Sequence, residues 1–298
     1  SSSAGGGIRR IHGTRKRRMI TELDVTLCGT GTSSGIPIIG CTCPVCHSED
    51  LRDRRTRCGA AIRFRDASGN PRMILLDCPP DHREHALRLG LDRCDAIFFT
   101  HSHVDHTFGL DDVRRYNAVQ KTSIEALADQ PTLNAIERQF QHIFRPFENI
   151  NPSFVASLTV TELRPFEPVD RFGLRFEPIK LLHGRMPILG FRIEALDSEG
   201  RIASDQPSPF PLAYCTDTSS IPPETWPRLR GLRTLVLDML RPRAHPTHLT
   251  VDQAIEIAQR IGAESTWFIH MSHEVRHAEV APGLPARMNL AWDGVRIR

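Results

Sequence analysis

Short aliphatic and β-branched runs recur along the chain, separated by polar turns, and few stretches carry the three- and four-residue spacing of an amphipathic helix. Residues 25–27, 61–64, 73–76 and 96–99 read as strands, with helices around 85–89 and 111–117. Residues 119–157 read as helical and mildly charged, most clearly over 131–145. The second half repeats the alternation, with strands at 158–160, 176–179, 189–193, 212–214, 234–237, 266–269 and 288–292. Between the last of these, 250–261 is a well-marked helix, with Val251, Ala254, Ile255, Ala258 and Ile261 on one face. Many strands on both sides of a middle, with helices interspersed, predict an α/β fold of two sheets covered by helices. No Pro/Gly/Ser linker divides the chain, and the polar stretch 197–211 reads as a loop between strands, so 19–298 is expected to be one domain.

Composition narrows the class. The chain has 298 residues, 40% hydrophobic and 24% charged, as in globular proteins. Its longest apolar runs fall far short of the roughly 20 residues of a membrane helix, so no membrane association is expected. The net charge of +3 is unevenly placed. Arg9, Arg10, Arg15, Lys16, Arg17 and Arg18 fall in residues 1–18, which hold no acid and no apolar stretch of the secretory kind. A start site placed upstream of Met19, a transit-like leader and a nucleic-acid-binding arm compete for this segment, which is expected to be basic and disordered. Without it the body carries a slight acidic excess, which argues against a long polyanionic partner. Eight cysteines with no secretory signal point to a reducing compartment, hence the cytoplasm.

The most informative segment is Thr100-His101-Ser102-His103-Val104-Asp105-His106, at the end of an apolar strand. In continued extended geometry His101 and His103 point to the same side, and a turn into a helix brings Asp105 and His106 round. Three imidazoles and a carboxylate suit zinc, manganese or iron, with His101 and His103 serving one ion and Asp105 and His106 a second. Upstream, Cys41, Cys43 and Cys46 are spaced as three thiolate ligands of a structural zinc, and a closed tetrahedral site needs a fourth. His47 is adjacent; His273, three residues after His270, would tie the cysteine loop to the last strand of the site. The Gly29-Thr30-Gly31-Thr32-Ser33-Ser34-Gly35 loop ahead of the cysteines has no following lysine of the nucleotide-triphosphate kind, and tight packing beside the metal site is its expected role.

His-x-His-x-Asp-His after an apolar strand resembles the signature of the metallo-β-lactamase superfamily. The resemblance extends from about residue 22 onward. It implies a four-layer αββα sandwich of two mixed sheets, with two metal ions at the strand ends. His183, after 176–182, stands where the third ligand of the first metal is expected. Asp217 looks like the bridging carboxylate, and His270 would complete the second metal. Two divalent ions about 3.5–4 Å apart lower the pKa of a shared water, making a bridging hydroxide the expected nucleophile.

The Gly-Thr-Gly-Thr-Ser loop and Cys-x-Cys-x2-Cys added to that signature resemble the PhnP-like cyclic phosphodiesterases. In that branch three cysteines and a late histidine bind a structural zinc, which corresponds to Cys41, Cys43, Cys46 and His273. The branch also carries a His-x-Thr element, here His248-Leu249-Thr250. His248 is therefore expected to act as general acid beside Asp105 and Asp217, with His245 as its local competitor. The expected activity is hydrolysis of a small, cyclic phosphodiester with manganese, zinc, iron or nickel in the active site. Arg185 and Arg114 are candidate phosphate contacts. The resemblance also brings a homodimer into consideration. A tRNA 3′-processing endonuclease is the nearest rival, though no basic, Gly-rich arm is visible here. A non-hydrolytic carrier like the pyrroloquinoline quinone biosynthesis B protein is the rival of another class.

Overall fold

The structure is a computed structural model that describes residues 19–150 and 153–297; the basic segment 1–18 lies outside the described residues. Among those residues the strands form two sheets of seven. The first comprises β1 (Thr21–Gly29), β2 (Gly59–Arg65), β3 (Pro71–Leu76), β4 (Ala96–Phe98), β5 (Ile124–Ala128), β6 (Leu158–Glu162) and, at its edge, β14 (Val295–Ile297). The second comprises β7 (Val169–Arg171), β8 (Leu174–His183), β9 (Met186–Ala195), β10 (Leu212–Cys215), β11 (Thr234–Asp238), β12 (Ser265–Ile269) and β13 (Met288–Leu290). Their orders are β14-β1-β2-β3-β4-β5-β6 and β13-β12-β11-β10-β9-β8-β7. In each sheet one half is antiparallel and the other parallel: β3, β4, β5 and β6 in the first, β10, β11, β12 and β13 in the second.

Period-two alternation decides which face each residue takes. In β3 and β4, Ile74, Leu76, Ala96 and Phe98 enter the core between the sheets, while Met73, Leu75 and Ile97 turn outward. The outer face of the first sheet is covered by α1 (His82–Leu89), α3 (Arg114–Gln120) and α4 (Gln130–Gln139), which contribute Ala86, Tyr116 and Ile136. A short helix, α2 (Val104–Thr107), precedes α3, and another, α5 (Gln141–Phe144), follows α4. Across the second sheet, α6 (Val251–Ile261) buries Ala254 and Ala258 against Leu235, Leu237 and Phe268. The four layers are those of the expected αββα sandwich. Thr250 starts α6 through a capping box with Gln253, and Gly262 ends it in the left-handed conformation.

The expectation of continuous helix over 119–157 does not hold. Ile124–Ala128 is a parallel strand, and Phe140 divides the helix expected over 131–145 into α4 and α5. The Ile124, Ala126 and Ala128 side chains face α4 while Leu127 enters the inter-sheet core, an alternation too short and too alanine-rich to stand out in the sequence. No helix of the described residues is long and apolar enough to cross a membrane.

The two sheets are joined by a stack of Phe98 on Phe176, with ring centroids 4.0 Å apart and Phe191 edge-on at 5.5 Å. Phe98 is fully buried, directly ahead of the His101 segment. Replacing it with alanine is expected to lower stability by about 3–5 kcal/mol, the cost of a large core cavity, as measured by equilibrium urea unfolding.

Candidate metal centre

The parallel strands bring distant parts of the chain to one edge. Asp77 follows β3, His101 and His103 follow β4, Asp217 follows β10, Asp238 ends β11, and His270 follows β12. His183 ends β8. Asp77, Asp217 and His270 adopt left-handed backbone with φ of 61°, 53° and 61°. Such geometry costs about 1–3 kcal/mol for a residue with a side chain and persists where its surroundings over-determine it. At each of these strand ends the turn aims the side chain into one buried space. After β4, His103 is extended (φ −61°, ψ 148°) and α2 begins at Val104, so Asp105 and His106 come round beside His101.

Five ligand groups result among the described residues, two of which bring His248 within reach of His183 and Asp217 and of Asp238 and His270. The nitrogens of His101, His103 and His183 lie within 4.8 Å of one another, as do the ligand atoms of Asp105, His106, Asp217 and His270. Asp217 belongs to both neighbourhoods: its carboxylate lies 3.1 Å from His106 Nε2, 3.2 Å from His270 Nε2 and 4.0 Å from His101 Nε2. A further group is Cys41, Cys43, Cys46 and His273, with the three sulfurs 3.2, 3.5 and 3.7 Å from His273 Nδ1. His47 is instead turned to the Cys43 carbonyl.

The imidazoles are oriented from behind. His106 Nδ1 meets Asp77 Oδ2 at 2.7 Å, and Asp77 itself accepts from the Thr100 amide and hydroxyl. His183 Nδ1 donates to the Thr247 carbonyl at 2.9 Å, and His101 Nδ1 contacts the Thr100 hydroxyl. Each arrangement fixes the tautomer that turns Nε2 toward the cluster. The Nε2 atoms of His101, His106 and His270 are buried and find no hydrogen-bond partner among the described residues. Buried polar atoms are rarely left so, and orphaned imidazole nitrogens facing carboxylates fit divalent cations. The field agrees. Burial by itself would raise Asp217, but His270 and His106 outweigh it and hold its carboxyl well below the usual range. Burial likewise opposes a proton on His106, yet Asp217 and Asp77 push that imidazole well up. The negative field that favours a proton there would equally favour a divalent ion.

In the cysteine group, slight burial raises the Cys43 thiol, but the Cys46 amide and the neighbouring thiols stabilise the thiolate and bring it down to about 6. A buried ion pair ties this loop to the active-site strand. Arg55 donates to Asp53 at 3.0 Å and to the Ser272 carbonyl at 3.2 Å, and Asp53 accepts from the His277 amide. Ser272 lies between His270 and His273, so the two groups share one anchored segment. The glycine loop packs beneath it: a Cβ on Gly31 would lie 2.7 Å from the Arg55 carbonyl and one on Gly29 2.1 Å from that of Arg57. Only glycine allows so close a backbone approach.

Residues 72–271 match the model of the β-lactamase superfamily domain. A solved diphosphatase of the PhnP family is 35% identical, with a TM-score of 0.79 over 93% of this chain and 97% of that one. The chain belongs to the β-lactamase superfamily, in its PhnP family. It has the metallo-β-lactamase fold. This PhnP-family chain also matches the octanoyltransferase of Porphyromonas gingivalis, 36% identical over 90% of its own length but spanning only about half, 50%, of that relative. Zinc-bound PqqB from Methylobacterium extorquens, 18% identical, shares the fold with a TM-score of 0.69 over 92% of this chain and 99% of its own.

Sequence reasoning missed Asp77, Asp238 and the Asp53–Arg55 pair. Asp77 and Asp238 carried the signal that marked Asp217 and His270, an acid or histidine at the end of an apolar strand. The Asp53–Arg55 pair carried none, because both residues sit in a charged stretch and are buried only by the return of residues 272–277. Of the candidate phosphate contacts, Arg114 pairs with Asp111 at 3.3 Å, and Arg185 is exposed two residues beyond His183. In this PhnP-family protein, Asp77→Asn is expected to weaken metal binding about 10–100-fold by releasing His106. Metal content after dialysis against graded chelator would check this.

Proposed function

We propose that the protein is a metal-dependent phosphodiesterase for a small, cyclic phosphodiester. His101, His103 and His183 would hold one divalent ion, Asp105, His106 and His270 a second, and Asp217 would reach both. Cys41, Cys43, Cys46 and His273 would hold a structural zinc. The observation that carries the reading is the setting of His248. It is buried, its Nδ1 meets Asp238 Oδ1 at 2.9 Å, and its ring stacks on His270 with centroids 4.6 Å apart. Asp238 is fully buried and also accepts the Leu249 amide, so the pairing is rigid.

Divalent ions in these ligands would supply Lewis acidity to the phosphoryl oxygens and lower the pKa of a bound water. The chain's own contribution is to place and protonate. Asp238 fixes the His248 tautomer with Nδ1 toward the carboxylate, leaving Nε2 free for the substrate. In its charged form His248 donates the Nε2 proton to the departing alkoxide oxygen, a leaving group too basic to depart unassisted. Asp105 and Asp217 stay ionised and keep the cluster negative, as binding two cations requires. The pocket at Asp105, about 340 Å³, has room for a small ester, and the acidic excess of the body disfavours a long nucleic acid.

A second reading has the octanoyltransferase match in its favour: an acyl ester in place of a phosphodiester. Only about half of that relative is matched, and an acid positioned like His248 suits an alkoxide leaving group better than a thiolate one. The discriminating experiment compares metal-loaded wild type and His248→Ala on bis-p-nitrophenyl phosphate, a 2′,3′-cyclic nucleotide and p-nitrophenyl octanoate. Turnover of both phosphodiesters is expected to need added metal; that of the cyclic nucleotide, which releases a basic alkoxide, should fall at least about a hundredfold in the variant, and that of bis-p-nitrophenyl phosphate, whose leaving group departs without a proton, should fall far less. Turnover of the octanoate alone would replace the reading.

A further inference from the structure

The imidazoles of the centre differ in what holds them. Asp77 fixes the ring of His106, the Thr247 carbonyl that of His183 and Asp238 that of His248. Neither ring nitrogen of His270 has a hydrogen-bond partner among the described residues. Asp238 Oδ1 lies 3.6 Å from its Nδ1 and is taken by His248. His270 is therefore placed by its own left-handed backbone and by the segment that follows it. That segment is gripped from the N-terminal part of the chain. The Met271 amide donates to the Thr30 carbonyl at 3.1 Å, the Thr32 amide to the Met271 carbonyl at 3.2 Å, and Arg55 Nη1 to the Ser272 carbonyl at 3.2 Å.

Arg55 is also tied to the cysteine loop, through its backbone. It exchanges two hydrogen bonds with Ile36, at 2.7 and 2.9 Å, and Ile36 packs with Val45 and Cys46. Its side chain has no exposed surface. Nε donates to the Arg52 carbonyl at 3.2 Å and Nη2 to Asp53 at 3.0 Å, so turning away from Ser272 would leave donors unpaired in the interior. One residue thus joins the loop that presents Cys46 to the segment that presents His270 and His273. The hydrogen bonds of His101, His103 and His183 do not reach residues 30–55 among the described residues.

We propose that Arg55 is a positioning residue that couples the cysteine group to the active-site ion on His270, and not to the ion on His101, His103 and His183. Gathering Cys41, Cys43, Cys46 and His273 round zinc fixes the loop that leads into Arg55. Arg55 passes that order to Ser272, and His270 is kept where Asp105, His106 and Asp217 can share its ion. Coupling between two binding sites is reciprocal, so an ion on His270 tightens zinc in the cysteine group by the same factor. The coupling presupposes the metal-binding roles proposed above for both groups, and no particular substrate.

Thiolates select zinc and the carboxylate–imidazole centre accepts manganese, so the two can be loaded separately. The full chain carrying one zinc would be titrated with Mn²⁺, with isolated and spin-coupled ions resolved by electron paramagnetic resonance. The comparisons are Cys41→Ser, the double variant Asp53→Asn/Arg55→Met, and the three substitutions together. The double variant removes the buried pair as a unit, so that no lone charge is stranded. One of the two Mn²⁺ affinities is expected to weaken at least about tenfold in Cys41→Ser and in the double variant alike. The other should not change, and the triple variant should be no weaker than Cys41→Ser alone. In a His183→Ala background, which leaves the His270 group intact, the same loss should persist. Equal weakening of both ions, unchanged affinities, additive effects in the triple variant or a loss absent from the His183→Ala background would overturn the coupling. Wild type supplies a check that needs no variant. Chelator competition for its zinc should show tighter binding when Mn²⁺ is saturating, and an identical zinc affinity would overturn the coupling. A chain that shows the coupling but cleaves no phosphodiester would uphold it and defeat the phosphodiesterase reading alone, whereas a chain that binds no ion at His270 would overturn both.

Discussion

The structure is organised around buried acids and imidazoles that the protein itself leaves unsatisfied. Asp77, Asp217 and Asp238 are almost wholly out of water, Asp105 nearly so, and the Nε2 atoms of His101, His106 and His270 have no hydrogen-bond partner among the described residues. Taking an ion out of water costs several kcal/mol even after relaxation. A protein can sustain such a group when cations complete it, and the remaining architecture follows from holding the group in place. Left-handed turns at Asp77, Asp217 and His270 direct the side chains inward. Asp77, Asp238 and the Thr247 carbonyl occupy the far nitrogens of His106, His248 and His183.

A second constraint joins this centre to the cysteine group. His270 and His273 lie on one short segment, and Arg55 grips it through the Ser272 carbonyl while pairing with Asp53. A guanidinium with no exposed surface is tolerable only when paired and hydrogen-bonded, so this pair is a rigid joint. The cysteine loop therefore does more than gather three sulfurs round His273. It fixes the N-terminal loop, the last active-site strand and the wall of the pocket relative to one another.

Membership of the β-lactamase superfamily establishes the fold, and local features distinguish the site within it. The Asp238–His248 pair holds one imidazole in a fixed orientation beside the cluster. Arg57, paired with Asp81, lies on the wall of the pocket that Asp105 also lines.

The sequence by itself determined the central motif, because four potential ligands within six residues need only one strand end and one turn to converge. It also marked 73–76, 96–99, 176–179 and 266–269 as strands and 250–261 as an amphipathic helix, and the family resemblance implied the four-layer architecture. Strand-end placement together with the family resemblance singled out His183, Asp217 and His270, while Asp77 and Asp238, which carry the same strand-end signal, were passed over. That placement was not enough to pair His106 with Asp77 or His248 with Asp238, since those contacts depend on which strands are neighbours. Only the tertiary structure decided that β5 completes the first sheet within a stretch that reads as helix, that Arg55 is buried under residues 272–277, and that Arg57 rather than Arg114 lines the pocket. The reason is the same in each case. Periodicity and short-range spacing specify a residue's face, whereas its partners across the molecule are set by sheet order and loop return, which no local pattern encodes.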